Sequence, residues 1–110
     1  MISCVRAVGL ACVLVAAGLA LSKARADELT ALGLPPDQGR EEVEAYCSGC
    51  HSLKLVVQQG LSQEAWDELL DWMIEEQEME PMEAVDRNLV LDYLSKHLSI
   101  EAVRARRKQR

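Results

Sequence analysis

From Ser62 onward the apolar positions fall into helical register. Trp66, Leu69, Leu70, Met73 and Ile74 recur at i, i+3, i+4, i+7 and i+8, one stripe of an amphipathic helix, while Glu68, Asp71 and Glu75 face away from it. Ser62 is a good N-cap, and Glu64 in the first turn suits the helix dipole. Leu61 and Trp66 stand at hydrophobic-staple spacing. A further helix is predicted from about Glu83 to Leu98, with Val90, Tyr93, Leu94 and either His97 or Leu98 buried. Between the two, "QEMEPMEA" (residues 77–84) breaks the pattern, with Pro81 as punctuation. A shorter helix is predicted from about Gly39 to Tyr46, ending at a pair of cysteines. Residues 52–60 read as a loop carrying Leu53, Leu55, Val56 and Val57. No stretch alternates with the period of a strand, and no repeat or low-complexity tract interrupts the chain. The pattern predicts an all-α fold.

The two ends follow different rules. Arg6, the apolar run "AVGLACVLVAAGLAL" (residues 7–21) and "ARA" (residues 24–26) have the layout of a secretory signal peptide, with Asp27 as the first mature residue. The apolar run falls short of the roughly 20 residues that span a bilayer, so an uncleaved anchor is the weaker reading and no membrane span is expected after cleavage. Processing of residues 1–26 removes Cys4 and Cys12 and leaves Cys47 and Cys50 in an extracytoplasmic, periplasmic protein. Residues 27–38, with two prolines and a glycine, read as an N-terminal arm. Residues 99–110 form a basic tail with too little apolar surface to pack, and are predicted to fray.

Removing the leader shifts the charge balance. Residues 27–110 hold nine basic and eighteen acidic side chains, a net charge of −9. That excludes a nucleic-acid partner, which calls for a basic face. The acid is concentrated: residues 64–86 carry ten acidic side chains and no basic one. Such a run is either a solvated helix face or a surface that steers a basic partner. The core is also small. Residues 39–98 provide about three helices and no Phe. Chains below roughly 70–80 residues usually need a staple, metal or cofactor. Something large and apolar is missing from the centre.

"AYCSGCHSL" (residues 45–53) narrows what that could be. A redox dithiol of the thioredoxin type puts C-x-x-C beside a βαβ pattern, and here the cysteines close a helix. Structural zinc usually takes four Cys or His ligands; the mature chain has just Cys47, Cys50, His51 and His97, with His97 on the final helix and His51 too close to Cys50 for good tetrahedral geometry. C-x-x-C-H is also the attachment motif of c-type haem. Each thiol adds across one vinyl group of the porphyrin to form a thioether. The histidine after the second cysteine then coordinates the iron.

Residues 39–51 fit the pattern G-x-x-x-[FV]-x-x-x-C-x-x-C-H, with Gly39 eight residues and Val43 four residues before Cys47. In this the chain resembles the monohaem class I c-type cytochromes. "LVLDYLSKHL" (residues 89–98) resembles the closing helix of that family, whose aromatic, Tyr93 here, crosses the first helix at the glycine. The likeness implies a small cytochrome c-like fold of about three helices around one covalent haem c, with residues 39–98 as the cytochrome domain. "YCSGCHSLKLVVQQGLSQEAWDELLDWMIEEQEM" followed by "LVLDYLSKHL" is further similar to the small cytochrome subunit of periplasmic sulfite dehydrogenases. That resemblance implies a molybdopterin partner that oxidises sulfite and a haem subunit that takes up the electrons. Relatives tend to have Gly-Met where this chain has Glu78-Met79.

An electron-transfer haem fills both axial positions, often with a His/Met pair. Cys47 and Cys50 are expected to carry the thioethers and His51 to be the proximal iron ligand. Met79 is the distal ligand by alignment with the family, and Met82 is the alternative in the same loop. Met73 belongs to the helical stripe and reads as core, as does Trp66. Trp72 stands off the stripe, either partly buried or reaching a haem propionate or a partner. With both axial positions filled, the iron offers no site to a substrate, so the chain is not expected to be catalytic by itself. The expected role is electron transfer from a sulfite dehydrogenase to a downstream soluble cytochrome c. The alternatives are a free carrier serving another dehydrogenase and, if the sixth position is open, a haem-based ligand sensor or small peroxidase.

Overall fold

The computed structural model describes residues 2–110, with side-chain surroundings from Leu14 onward. Arg6, Cys4 and Cys12, in the stretch read above as a leader, therefore have side chains outside the described residues. Six helices and no strand make up the described chain: α1 (Ile2–Leu32), α2 (Arg40–Cys47), α3 (Leu53–Val56), α4 (Gln63–Glu76), α5 (Ala84–His97) and α6 (Ile100–Lys108). The all-α expectation holds.

The two long helices form where the apolar stripes put them. Ser62 Oγ accepts a hydrogen bond from the Ala65 N–H at 3.2 Å and caps α4. Trp66 and Leu70 are buried, and the Trp66 indole N–H donates to the Leu98 carbonyl at 3.1 Å. The N–H of Leu61, the staple residue, bonds the same carbonyl at 3.3 Å. Helix α5 buries Val90, Leu91, Tyr93 and Leu94. Leu98, just past its end, is fully buried, whereas the His97 side chain keeps 17% exposure. That resolves the choice between them. Arg87 ties α5 to α4 through Asp67 (2.5 Å) and Asp71 (2.6 Å).

The crossing of α2 with α5 turns on Gly39. It caps α2 at φ 92°, in the left-handed region that favours glycine. A Cβ there would run into the Leu89 carbonyl and sit 3.0 Å from Tyr93 Cβ. The glycine lets the start of α2 lie directly on the backbone of α5. Val43, one turn further along, is fully buried beneath the crossing.

Three expectations change. Residues 52–60 are not wholly loop. Ser52 Oγ accepts from the Lys54 N–H at 3.3 Å and starts the single turn α3, which buries Leu53. The arm is docked rather than free: Leu29 and Leu34 join the core, and the Tyr93 hydroxyl donates to the Pro35 carbonyl at 2.7 Å. Asp37 holds Lys96 at 2.5 Å and His97 Nε2 at 2.8 Å. Those two contacts, Lys96 first, keep its carboxyl well below the usual carboxylate range. The tail does not fray. Ser99 caps α6, Val103 is buried, and Arg106 Nη1 donates to the Gly33 carbonyl. Its few apolar groups suffice because Gly60 presents no side chain: a Cβ there would lie 3.2 Å from Ile100 Cα and 3.3 Å from Val103 Cβ.

Helix α1 carries exposed Leu14, Val15, Leu19 and Leu21, and the first buried side chain among the described residues is Leu29. Loss of residues 1–26 would thus take no described core residue with it. Among the described residues no helix is long and apolar enough to cross a membrane.

Gly39→Ala is expected to lower stability by about 2–5 kcal/mol, combining a left-handed backbone cost of roughly 1–2 kcal/mol with overpacking of roughly 1–3 kcal/mol. Thermal or urea unfolding followed by circular dichroism reads it. A loss under about 0.5 kcal/mol, the scale of an ordinary surface change, would mean that the crossing does not depend on the glycine.

Candidate functional site

One apolar cleft of about 250 Å³ opens beside α2, α3 and α4. It is near the lower end of the size range of small-molecule sites, roughly 300–1,000 Å³. Three segments build it. Helix α2 ends with its Ser48 N–H donating to the Glu44 carbonyl at 3.1 Å, and this delivers Tyr46 and Cys47 to one wall. The turn that follows supplies Cys50 and His51, held between the end of α2 and the Ser52 cap of α3. The stripe of α4 supplies Trp66, Leu69 and Met73.

Met79 completes the lining, and its position has a local cause. The Gln77 and Met79 N–H groups both donate to the Met73 carbonyl, at 3.1 and 3.0 Å. Between them Glu78 takes φ 57°, which turns the chain back sharply at the end of α4. This is the position where the sequence has Glu in place of the Gly of its resembled family. A non-glycine residue held there costs roughly 1–2 kcal/mol.

The four expected site residues Cys47, Cys50, His51 and Met79 therefore line one cleft. Met82 does not; it packs, partly buried, against the core. Met73 lines the cleft from the stripe, so it serves both core and site wall. His97 stands elsewhere, stacked at 4.6 Å on the Tyr93 ring and bound to Asp37. The four-ligand zinc set is thus not assembled. No group of three or more His, Cys, Asp or Glu side chains is arranged for a metal ion among the described residues. Burial pushes the Cys47 thiol up to about 11, leaving it protonated near neutral pH. That is the opposite of the lowered value that activates a redox dithiol. The donor set fits a haem: two thiols at C-x-x-C spacing, an exposed imidazole, a thioether, and walls of apolar side chains.

Pattern reading missed Tyr46 as part of the site. Its hydroxyl donates to Asp86 at 2.7 Å, which ties the end of α2 to the start of α5 and raises the Tyr46 pKa. The partner lies 40 residues away, and no local signal couples them. Trp72 and Leu55, 51% and 48% exposed, sit at the rim of the cleft. Comparison with protein-family models, curated proteins and solved structures finds no match to this chain.

Glu78→Gly relieves the left-handed strain but gives up roughly 0.5–1 kcal/mol of backbone entropy, so it is expected to melt no lower than the parent chain. Glu78→Val, β-branched at the same φ, is expected to melt clearly lower. Equal melting of the two variants in a thermal scan would contradict the turn geometry.

Proposed function

We propose that the chain is an electron-transfer monohaem cytochrome c, exported to the periplasm by a cleaved leader. The observation that supports it most is the gathering of Cys47, Cys50, His51 and Met79 on one apolar cleft, from segments 28 residues apart in sequence. Cys47 and Cys50 would hold haem c through two thioethers, and His51 and Met79 would supply a nitrogen and a sulfur to its iron. The bound haem supplies a one-electron iron couple, whose potential a His/Met pair raises. The chain's own work is to bind and shield. Trp66, Leu69 and Met73 exclude water from the inner wall, and the turn at Glu78 keeps the Met79 thioether on the cleft.

With His51 and Met79 both given to the iron, the protein would not turn over a substrate. It passes electrons between partners through an edge of the cleft. Glu75, Glu76, Glu78, Glu80 and Glu83 are all exposed around the Met79 turn, a surface that favours a basic partner. The resemblance of residues 46–98 points to a periplasmic molybdenum sulfite dehydrogenase as electron donor, with a soluble cytochrome c downstream.

Optical spectroscopy of the haem-loaded protein tests the reading. Low-spin bands and a reduced spectrum unchanged by carbon monoxide are expected. Rapid carbon monoxide binding would favour the ligand-sensor alternative with an open sixth position. Met79→Ala is expected to abolish the weak near-infrared band of Met–iron ligation, while Met82→Ala keeps it. The reverse result would make Met82 the ligand.

A further inference from the structure

A second cleft, of about 160 Å³, lies on the other side of the molecule's short third helix, between α3 and α6. Its chemistry is unlike the first. Lys54 reaches it from α3, and Arg106, Arg107 and Arg110 from α6 and its end. Leu32, Val57 and Val103 form its apolar part, and no Asp or Glu lines it. None of the four cations joins an ion pair among the described residues.

Their hydrogen bonds are also incomplete. Arg107 Nη2 donates to the Gln58 carbonyl at 3.2 Å, and Arg106 Nη1 to the Gly33 carbonyl. Arg106 Nη2 is buried with no protein partner among the described residues. An unmatched guanidinium N–H out of water is costly, and native structures seldom leave one. The last turn of a helix is a favoured place for cations, which accounts for Arg106 and Arg107 being basic. It does not account for Lys54 arriving from a different helix, nor for the orphaned Nη2. In a chain with eighteen acidic side chains to twelve basic ones, Asp and Glu are not scarce, yet none lines this cleft.

We propose that the α3–α6 cleft binds a multiply charged oxyanion of the phosphate class. Lys54, Arg107 and Arg110 would meet its charge, and Arg106 would add a fixed guanidinium from the wall. Forked guanidinium donors match such oxygens well, and the apolar part of the cleft strengthens the attraction by limiting water. Four positive charges outweigh the roughly half negative charge at the end of α6. The site is separate from the Cys47–Met79 cleft and does not depend on the haem reading.

The test is titration of the full chain with inorganic phosphate at constant ionic strength, followed by amide NMR shifts. Saturable shifts centred on residues 54–58 and 103–110 in the millimolar range or below are expected. Lys54→Gln with Arg110→Gln should weaken binding at least about ten-fold, since each loses a charge-assisted contact. Both side chains are exposed, so the fold is retained. Arg104→Gln removes a charge from α6 away from this cleft and should change the affinity less than about two-fold. Shifts that do not saturate, or equal losses in the two variants, would overturn the site. Vesicles containing phosphatidylglycerol identify the source. Binding that inorganic phosphate displaces assigns a lipid headgroup, and no vesicle binding alongside saturable phosphate binding assigns a free anion. Vesicle binding with no response to phosphate would overturn the proposal.

Discussion

The close contact of two backbones at Gly39 sets the rest of the molecule. Because no side chain stands between α2 and α5 there, α2 leaves the crossing at a fixed angle, and its far end carries Cys47 to the cleft. The same segment of α5 places Tyr93, whose hydroxyl holds Pro35 and with it the docked arm. One helix further on, the Leu98 carbonyl takes hydrogen bonds from both Trp66 and Leu61, so α4 is hung from the end of α5. The cleft is the space left between elements fixed by these few contacts. Its apolar walls are the outer side of the core: Trp66 belongs to the core, and Leu69, Met73 and Met79 pack against it.

Charge is sorted along the chain, with acid concentrated in residues 64–86 and base at the end of α6. The acidic run is partly structural: Asp67 and Asp71 are used by Arg87, and Asp86 by Tyr46. Of the seven acids that remain, five (Glu75, Glu76, Glu78, Glu80 and Glu83) surround the Met79 turn, next to the cleft proposed to exchange electrons. The basic residues collect at the opposite kind of place, the end of α6, where they share an unmatched cleft with Lys54.

Much of this was legible in the chain because it is local. The stripe from Trp66 to Ile74, the Ser62 cap and the eight-residue step from Gly39 to Cys47 each rest on neighbours in sequence, and the elements form where those signals stand. What could not be read depends on distant partners. The tail packs because Gly60, forty residues before Ile100, has no side chain. The arm docks because Tyr93 reaches Pro35, and Tyr46 belongs to the site through Asp86. Glu78 was visible as a departure from Gly, but the left-handed turn that makes the departure matter appears only in the backbone.

The central claim is that Cys47 and Cys50 carry a haem. Intact-mass and peptide mass spectrometry of the protein made in a host with a haem-attachment system tests it most directly. The predicted result is the added mass of a single haem, localised to the peptide that contains residues 47–51, with both thiols resistant to alkylation. A chain recovered with two alkylatable thiols there, or with a Cys47–Cys50 disulfide and no added mass, would contradict it.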